Sequence, residues 1–141
     1  MDIYTPILKG LYLIFSFDDV AAIYYMHEND LLANGLESFF IGVISKEAAY
    51  ILKIEDEAKF LEFAEQNFDS QASFDALEIY FNNWFTVNRA LQLSDIQSYE
   101  SAFLKTLEDA GIVLFKGDNN SLNSWEKRIL NNQNQSTKGG C

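Results

Sequence analysis

His27 is the chain's single histidine, and Cys141, the last residue, its single cysteine. A two-histidine zinc site and a cysteine–histidine nucleophile pair are therefore both excluded. His27 lies on the apolar stripe of an expected helix, beside Glu28, where a structural histidine belongs. Glu57-Ala58-Lys59 has the E-x-K spacing of one class of metal-dependent nucleases. Those enzymes carry the acid and lysine on a strand, whereas this tripeptide falls at an expected helix start. A nuclease must also attract polyanions, and this part of the chain repels them. Asp118, Asn120 and Glu126 offer oxygen ligands in the order of a calcium loop. The required glycine is replaced by Asn123, and the fifth place holds Leu122, so a turn is the better account. With twenty-one carboxylates some pair will fall at a glycosidase spacing, so no such pair is informative. The sequence contains no glycine-rich phosphate loop, nucleophile elbow or zinc spacing. A protein without catalytic residues, metal or cofactor is expected.

The positive signal is charge. Residues 1–78 hold fifteen carboxylates against four lysines, whereas residues 79–141 hold six acids and six bases. The whole formal charge of −11 thus belongs to the first part, and no basic side chain interrupts it between Lys9 and Lys46. Such a field repels nucleic acid and anionic membrane and attracts a basic partner. A charge serving solubility alone has no reason to avoid the C-terminal part.

The elements that must position these residues follow from periodicity. The chain is 48% hydrophobic and 15% aromatic, enough for one folded domain, assigned to residues 1–132. The apolar run Ile7–Phe17 is too short to span a bilayer and lacks a basic start and cleavage site, so a soluble protein is expected. With Cys141 as its single cysteine, a reducing cytoplasm is the natural reading, although a cysteine-poor exported protein would show the same. Thr5-Pro6 suits a helix start, while Leu11–Phe17 reads equally as a strand. Asp18 or Asp19 caps a helix carrying Val20, Ile23, Tyr24, His27 and Leu31, ended by Asn34-Gly35. Phe39–Ile44 and Ala49–Ile54 read as a β-hairpin. A helix over 56–69 buries Phe60, Leu61, Ala64 and Phe68. Another over 74–92 buries Phe74, Leu77, Phe81, Trp84 and Phe85. Ser94 and Gln97 fit a capping box for a helix stopped by Gly111. A short strand Ile112–Phe115, a turn Gly117–Asn120 and a last helix carrying Leu122, Trp125 and Ile129 complete the domain. Residues 133–141 read as a flexible tail. The class is α+β, with helices around a small, mostly antiparallel sheet.

Periodicity turns Glu62, Glu65 and Asp69 to the outer face of the 56–69 helix, and these are the first candidates for binding a partner. Asp18, Asp19, Glu28 and Asp30 come second, and Tyr24, Tyr25 or Tyr50 could supply anchors among them. A small, acidic, motif-poor α+β domain resembles the bacterial immunity proteins that neutralise contact-dependent or type VI secreted toxins. The likeness is one of general character over the whole chain. It implies tight binding to one toxin domain, often a basic nuclease, at its active site or a nearby surface. Two other classes compete. One is an acidic DNA mimic inhibiting a nucleic-acid-binding protein, which needs a more regular acidic row than this chain offers. The other is an enzyme with an unrecognised site.

Overall fold

Residues 15–44, 48–118 and 121–140 are described by a computed structural model, without the side chains of 121–123. The helix and strand alternatives for residues 5–14 lie outside them, as do Asn120 and Cys141. The first helix, α1 (Phe17–Glu28), is capped by Ser16 rather than by either aspartate. The Ser16 hydroxyl accepts from the Asp19 amide at 3.3 Å, and the Asp19 carboxylate accepts from the Ser16 amide at 3.0 Å. Asp19 is thus the reciprocal partner of a capping box. The helix also stops earlier than the Asn34-Gly35 signal suggests. Asn29 caps it through backbone and side chain, and Asp30 turns away in the left-handed region at φ +54. A short 3₁₀ turn (Leu36–Ser38) then leads into β1 (Phe40–Ile44), which pairs antiparallel with β2 (Ala49–Ile54), the hairpin expected from the sequence.

Asp56 caps α2 (Glu57–Asn67) by accepting from the Lys59 amide at 3.1 Å. The E-x-K tripeptide therefore opens a helix, as expected. Ser70 caps α3 (Gln71–Ala90), and Ser94 caps α4 (Asp95–Thr106). Gln97 does not close the box at Ser94, because its side-chain amide donates instead to the Ser136 carbonyl. Gly111 returns the chain to the sheet at φ +66. Its carbonyl accepts from the amides of Glu55 and Asp56, at 2.7 and 2.9 Å, joining the connection after α4 to the start of α2.

The C-terminal part departs from the sequence reading. Gly117 and Asp118 end β3 (Ile112–Asp118) rather than forming a turn. Residues 121–130 form the strand β4 (Ser121–Leu130), not a helix. Residues 136–138 form β5 (Ser136–Lys138) where a tail was expected, with Ser136 buried. The five strands make one antiparallel sheet in sequence order, β1-β2-β3-β4-β5.

Helices cover one face of this sheet, giving a single small α+β domain. Register places Tyr50, Leu52 and Ile54 of β2 beside Lys116, Leu114 and Ile112 of β3 on the helix-facing side. Against them lies α4, buried around nearly its whole circumference from Ser98 to Leu104. Beyond α4 runs α3, joined to it through Phe81 and Tyr99 with ring centroids 5.1 Å apart. Phe17 of α1 meets both Phe81, at 5.3 Å, and Phe103 of α4, at 5.8 Å. Three helices therefore share one aromatic cluster, whose burial supplies much of the apolar driving force. The opposite face of the sheet carries Trp125, whose ring lies where any side chain at Gly117 would stand. A Cβ there would approach it to 2.9 Å.

Candidate functional site

All seven acidic candidates, Asp18, Asp19, Glu28, Asp30, Glu62, Glu65 and Asp69, are exposed. The structure divides them among four places. The last turns of α1 reach both ends of α2: His27 approaches Glu57 (Nε2 to Oε1, 3.8 Å), while Tyr24 and Tyr25 reach the residues beyond the C-terminal end of α2. At that end, Asp69 lies past the helix cap Phe68 rather than on the outer face of α2, and Tyr24 Oη donates to Asp69 Oδ1 at 3.3 Å. Tyr25 Oη donates to the Phe68 carbonyl at 2.8 Å. Asp18, Tyr25, Asp69 and the ring edges of Phe68 and Phe74 line one hollow of about 260 Å³ between α1 and the start of α3.

Asp18, Asp69 and Glu28 thus belong to one surface around the two tyrosines. Burial, together with the Glu28 and Asp69 carboxylates, pushes the Tyr24 phenol up to about 12. Tyr25 remains 49% exposed and is the one anchor of the three considered that faces solvent; Tyr24 and Tyr50 are buried. Asp19 and Asp30 stand elsewhere, on the β1 side of α1 and in the turn that follows it. Glu62 and Glu65 project from α2 as a separate exposed pair. His27, between Glu28 (Nδ1 to Oε2, 3.6 Å) and Glu57, is half-buried and fits the structural role.

The strongest electrostatic feature lies under the sheet. Glu100 is fully buried on α4. Its carboxylate accepts from Lys116 Nζ at 2.7 Å, Arg128 Nε at 3.0 Å, Ser136 Oγ at 2.9 Å and the Tyr50 hydroxyl. Glu126 closes the cluster through Arg128. Burial raises the Glu100 pKa, but the hydrogen bonds from Lys116 and Tyr50 and the neighbouring cations outweigh it, leaving the group below its usual value. One helix and four strands converge on this carboxylate. Lys116 and Glu126 also line an open hollow of about 780 Å³ with Trp125 and Lys138, but every partner of Glu100 is a structural donor, and the cluster fixes architecture. Its signal in the sequence is an acid on an apolar stripe: Glu100 stands four residues after Ile96 and seven before Leu107.

Among the described residues, no group of three or more histidine, cysteine or carboxylate side chains is arranged to hold a metal ion. None of the described helices is long and apolar enough to cross a membrane. Comparison with protein-family models, curated proteins and solved structures found no match.

Proposed function

We propose that this protein is an immunity-type inhibitor that binds and neutralises a basic cognate toxin domain in the cytoplasm through its acidic helical surface. The observation that carries this reading is the disposition of the acids. Residues 15–44 contribute five carboxylates and no lysine or arginine, and the partner-facing candidates on α1 and α2 are all exposed. The cations of the C-terminal part are partly spent inside the fold, since Lys116 and Arg128 neutralise Glu100. Two of the cations are thereby withdrawn from the outer surface, and α1 itself carries no lysine or arginine. Opposed fields speed encounter and fix orientation, and Tyr25 supplies a rigid aromatic contact within the charged surface. Neither nucleic acid nor membrane is a direct partner on this reading.

The test is affinity capture from the native organism with the full chain as bait. Recovery of one basic protein in stoichiometric amount, with loss of that protein's toxicity on co-expression, is the expected result. Failure to recover a partner, together with turnover of a small-molecule or nucleic-acid substrate, would replace the reading with an enzymatic one.

A further inference from the structure

We infer that the free edge of β1 is a docking site for an extended segment of the basic partner, which adds to the sheet as a sixth strand. This deepens the immunity-type reading and rests on it. β1 ends the strand order, and among the described residues nothing pairs with its outward side. Every second residue of Phe40–Ile44 therefore directs an amide and a carbonyl away from β2. Native sheets blunt such edges with charges, prolines, bulges or covering loops. Phe40-Ile41-Gly42-Val43-Ile44 has no charge and no proline, and its register with β2 is unbroken. Phe40 and Ile44 are 59% and 66% exposed on its sheet-outer side.

On the other side, beneath this edge, α1 and β1 enclose a groove of about 320 Å³. Phe15, Ala22, Ile23, Met26, Ile41 and Val43 form its apolar wall, and among the described residues Asp19 is the one charged group that lines it. The groove lies within a segment, 15–44, that has five acids and no lysine or arginine.

These features select one occupant. A strand laid along β1 takes main-chain hydrogen bonds from the edge and places alternate side chains on its two sides. Apolar residues on one side extend the Phe40–Ile44 surface. Lysine or arginine on the other lies with its methylene stem along Ala22 and Met26 and its charge beside Asp19. A second copy of this chain fits less well, because two-fold pairing of β1 with itself sets the acidic α1 helices side by side.

Three synthetic peptides test this on isotope-labelled full-length protein: an alternating Val-Lys-Val-Lys-Val, its Lys-to-Glu counterpart, and the lysine peptide N-methylated at alternate amides. The lysine peptide should bind and slow hydrogen exchange at the outward amides of 40–44. The glutamate and N-methylated peptides should each bind at least about tenfold more weakly. Asp19→Asn, which keeps an oxygen acceptor for the cap, should narrow the lysine–glutamate difference while leaving the melting temperature within a few degrees. Absence of binding, or equal binding of the N-methylated peptide, overturns strand addition. Protection of the 40–44 amides that grows with protein concentration alone assigns the edge to a second copy and also overturns it. A captured basic partner whose exchange footprint covers Glu62 and Glu65 but spares 40–44 defeats the edge proposal and leaves the immunity-type reading standing. Capture of no basic partner defeats that reading itself.

Discussion

Glu100 concentrates more interactions than any other side chain described, and its replacement is the sharpest test of the core. Glu100→Gln preserves shape but removes the buried anion between Lys116 and Arg128, leaving Arg128 only Glu126 as its carboxylate partner. Breaking a buried ion pair from one side costs about 3–5 kcal/mol, which chemical denaturation should register. A loss below about 1 kcal/mol would mean that both cations reach water once the carboxylate is gone. The pH dependence has a defined sign. Since the Glu100 pKa is lowered on folding from 4.5, its contribution is present above that value and disappears as pH falls through the folded one. The stability gap between wild type and Glu100→Gln should therefore shrink on acidification. At the alkaline end the sign reverses. Tyr24 is raised from 10.0 to about 12, and burial beside Glu100 raises Tyr50 as well. The unfolded phenols ionise first, so stability should fall as pH rises from 10 towards 12, and late phenolate absorbance should coincide with unfolding. Gly111 is constrained twice, by φ +66 and by the Asp56 carbonyl, which stands 2.4 Å from any added Cβ. Gly111→Ala should lose more than the roughly 1–2 kcal/mol of left-handed backbone strain alone, because the clashing atom belongs to the backbone.

Among the elements, α3 and β5 make opposite points. Both Phe81 and Trp84 fall on the apolar arc of α3 when its sequence is drawn as a helix. Packing separates them: Phe81 is 2% exposed between Phe17, Phe85 and Tyr99, whereas Trp84 is half-buried under the Lys105 ammonium, 5.4 Å from the ring centroid. Phe81→Ala should cost about 3–5 kcal/mol and Trp84→Ala distinctly less, as equilibrium unfolding will show. Equal losses would mean that Trp84 is as deeply packed as Phe81. Residues 133–141 lack apolar side chains before the terminal cysteine, which is why they read as a tail. Their role is polar. The Ser136 amide donates to Ser101 Oγ at 2.8 Å, its hydroxyl donates to Glu100, and its carbonyl accepts from Gln97. Truncation after Asn132 removes all three bonds, each worth about 1 kcal/mol net, and should lower the melting temperature measurably. An unchanged melting temperature would show that β5 is a passenger on the sheet edge.

For the molecule as a whole, the uneven charge makes a kinetic prediction. Reversing Glu62 and Glu65 on the exposed face of α2 should slow association with a basic partner at low salt. Dissociation and the melting temperature should change little, and added salt should diminish the effect. An association rate indifferent to both reversal and ionic strength would reduce the acidic surface to a solubility role. Because Glu62 and Glu65 stand apart from the Tyr24–Tyr25 surface, their effect should be smaller than that of reversing Asp18 together with Asp69. Those two carboxylates share one hollow with Tyr25.

What the sequence by itself determined is whatever local physics controls. The β1–β2 hairpin, the α2, α3 and α4 helices, the Ser94 cap and the exposure of the seven candidate acids all follow from short-range pattern and turn chemistry, whereas α4 ends at Thr106, short of the Gly111 stop that the sequence suggests. β4 was misread because Leu122, Trp125 and Ile129 have helical spacing. The strand's true alternation, Glu126 and Arg128 inward against Trp125, Lys127 and Ile129 outward, is hidden because its inner face is ionic rather than apolar. That ionic face exists to meet Glu100, a residue twenty-eight positions away from Arg128 along the chain. The same distance explains why β5 looked like a tail and why Tyr24 and Tyr50 looked available. Their partners, Asp69 and Glu100, lie 45 and 50 residues further on. Short-range pattern specifies elements and surface charge. Only tertiary contact decides which polar groups are buried as pairs, and hence which acids remain exposed.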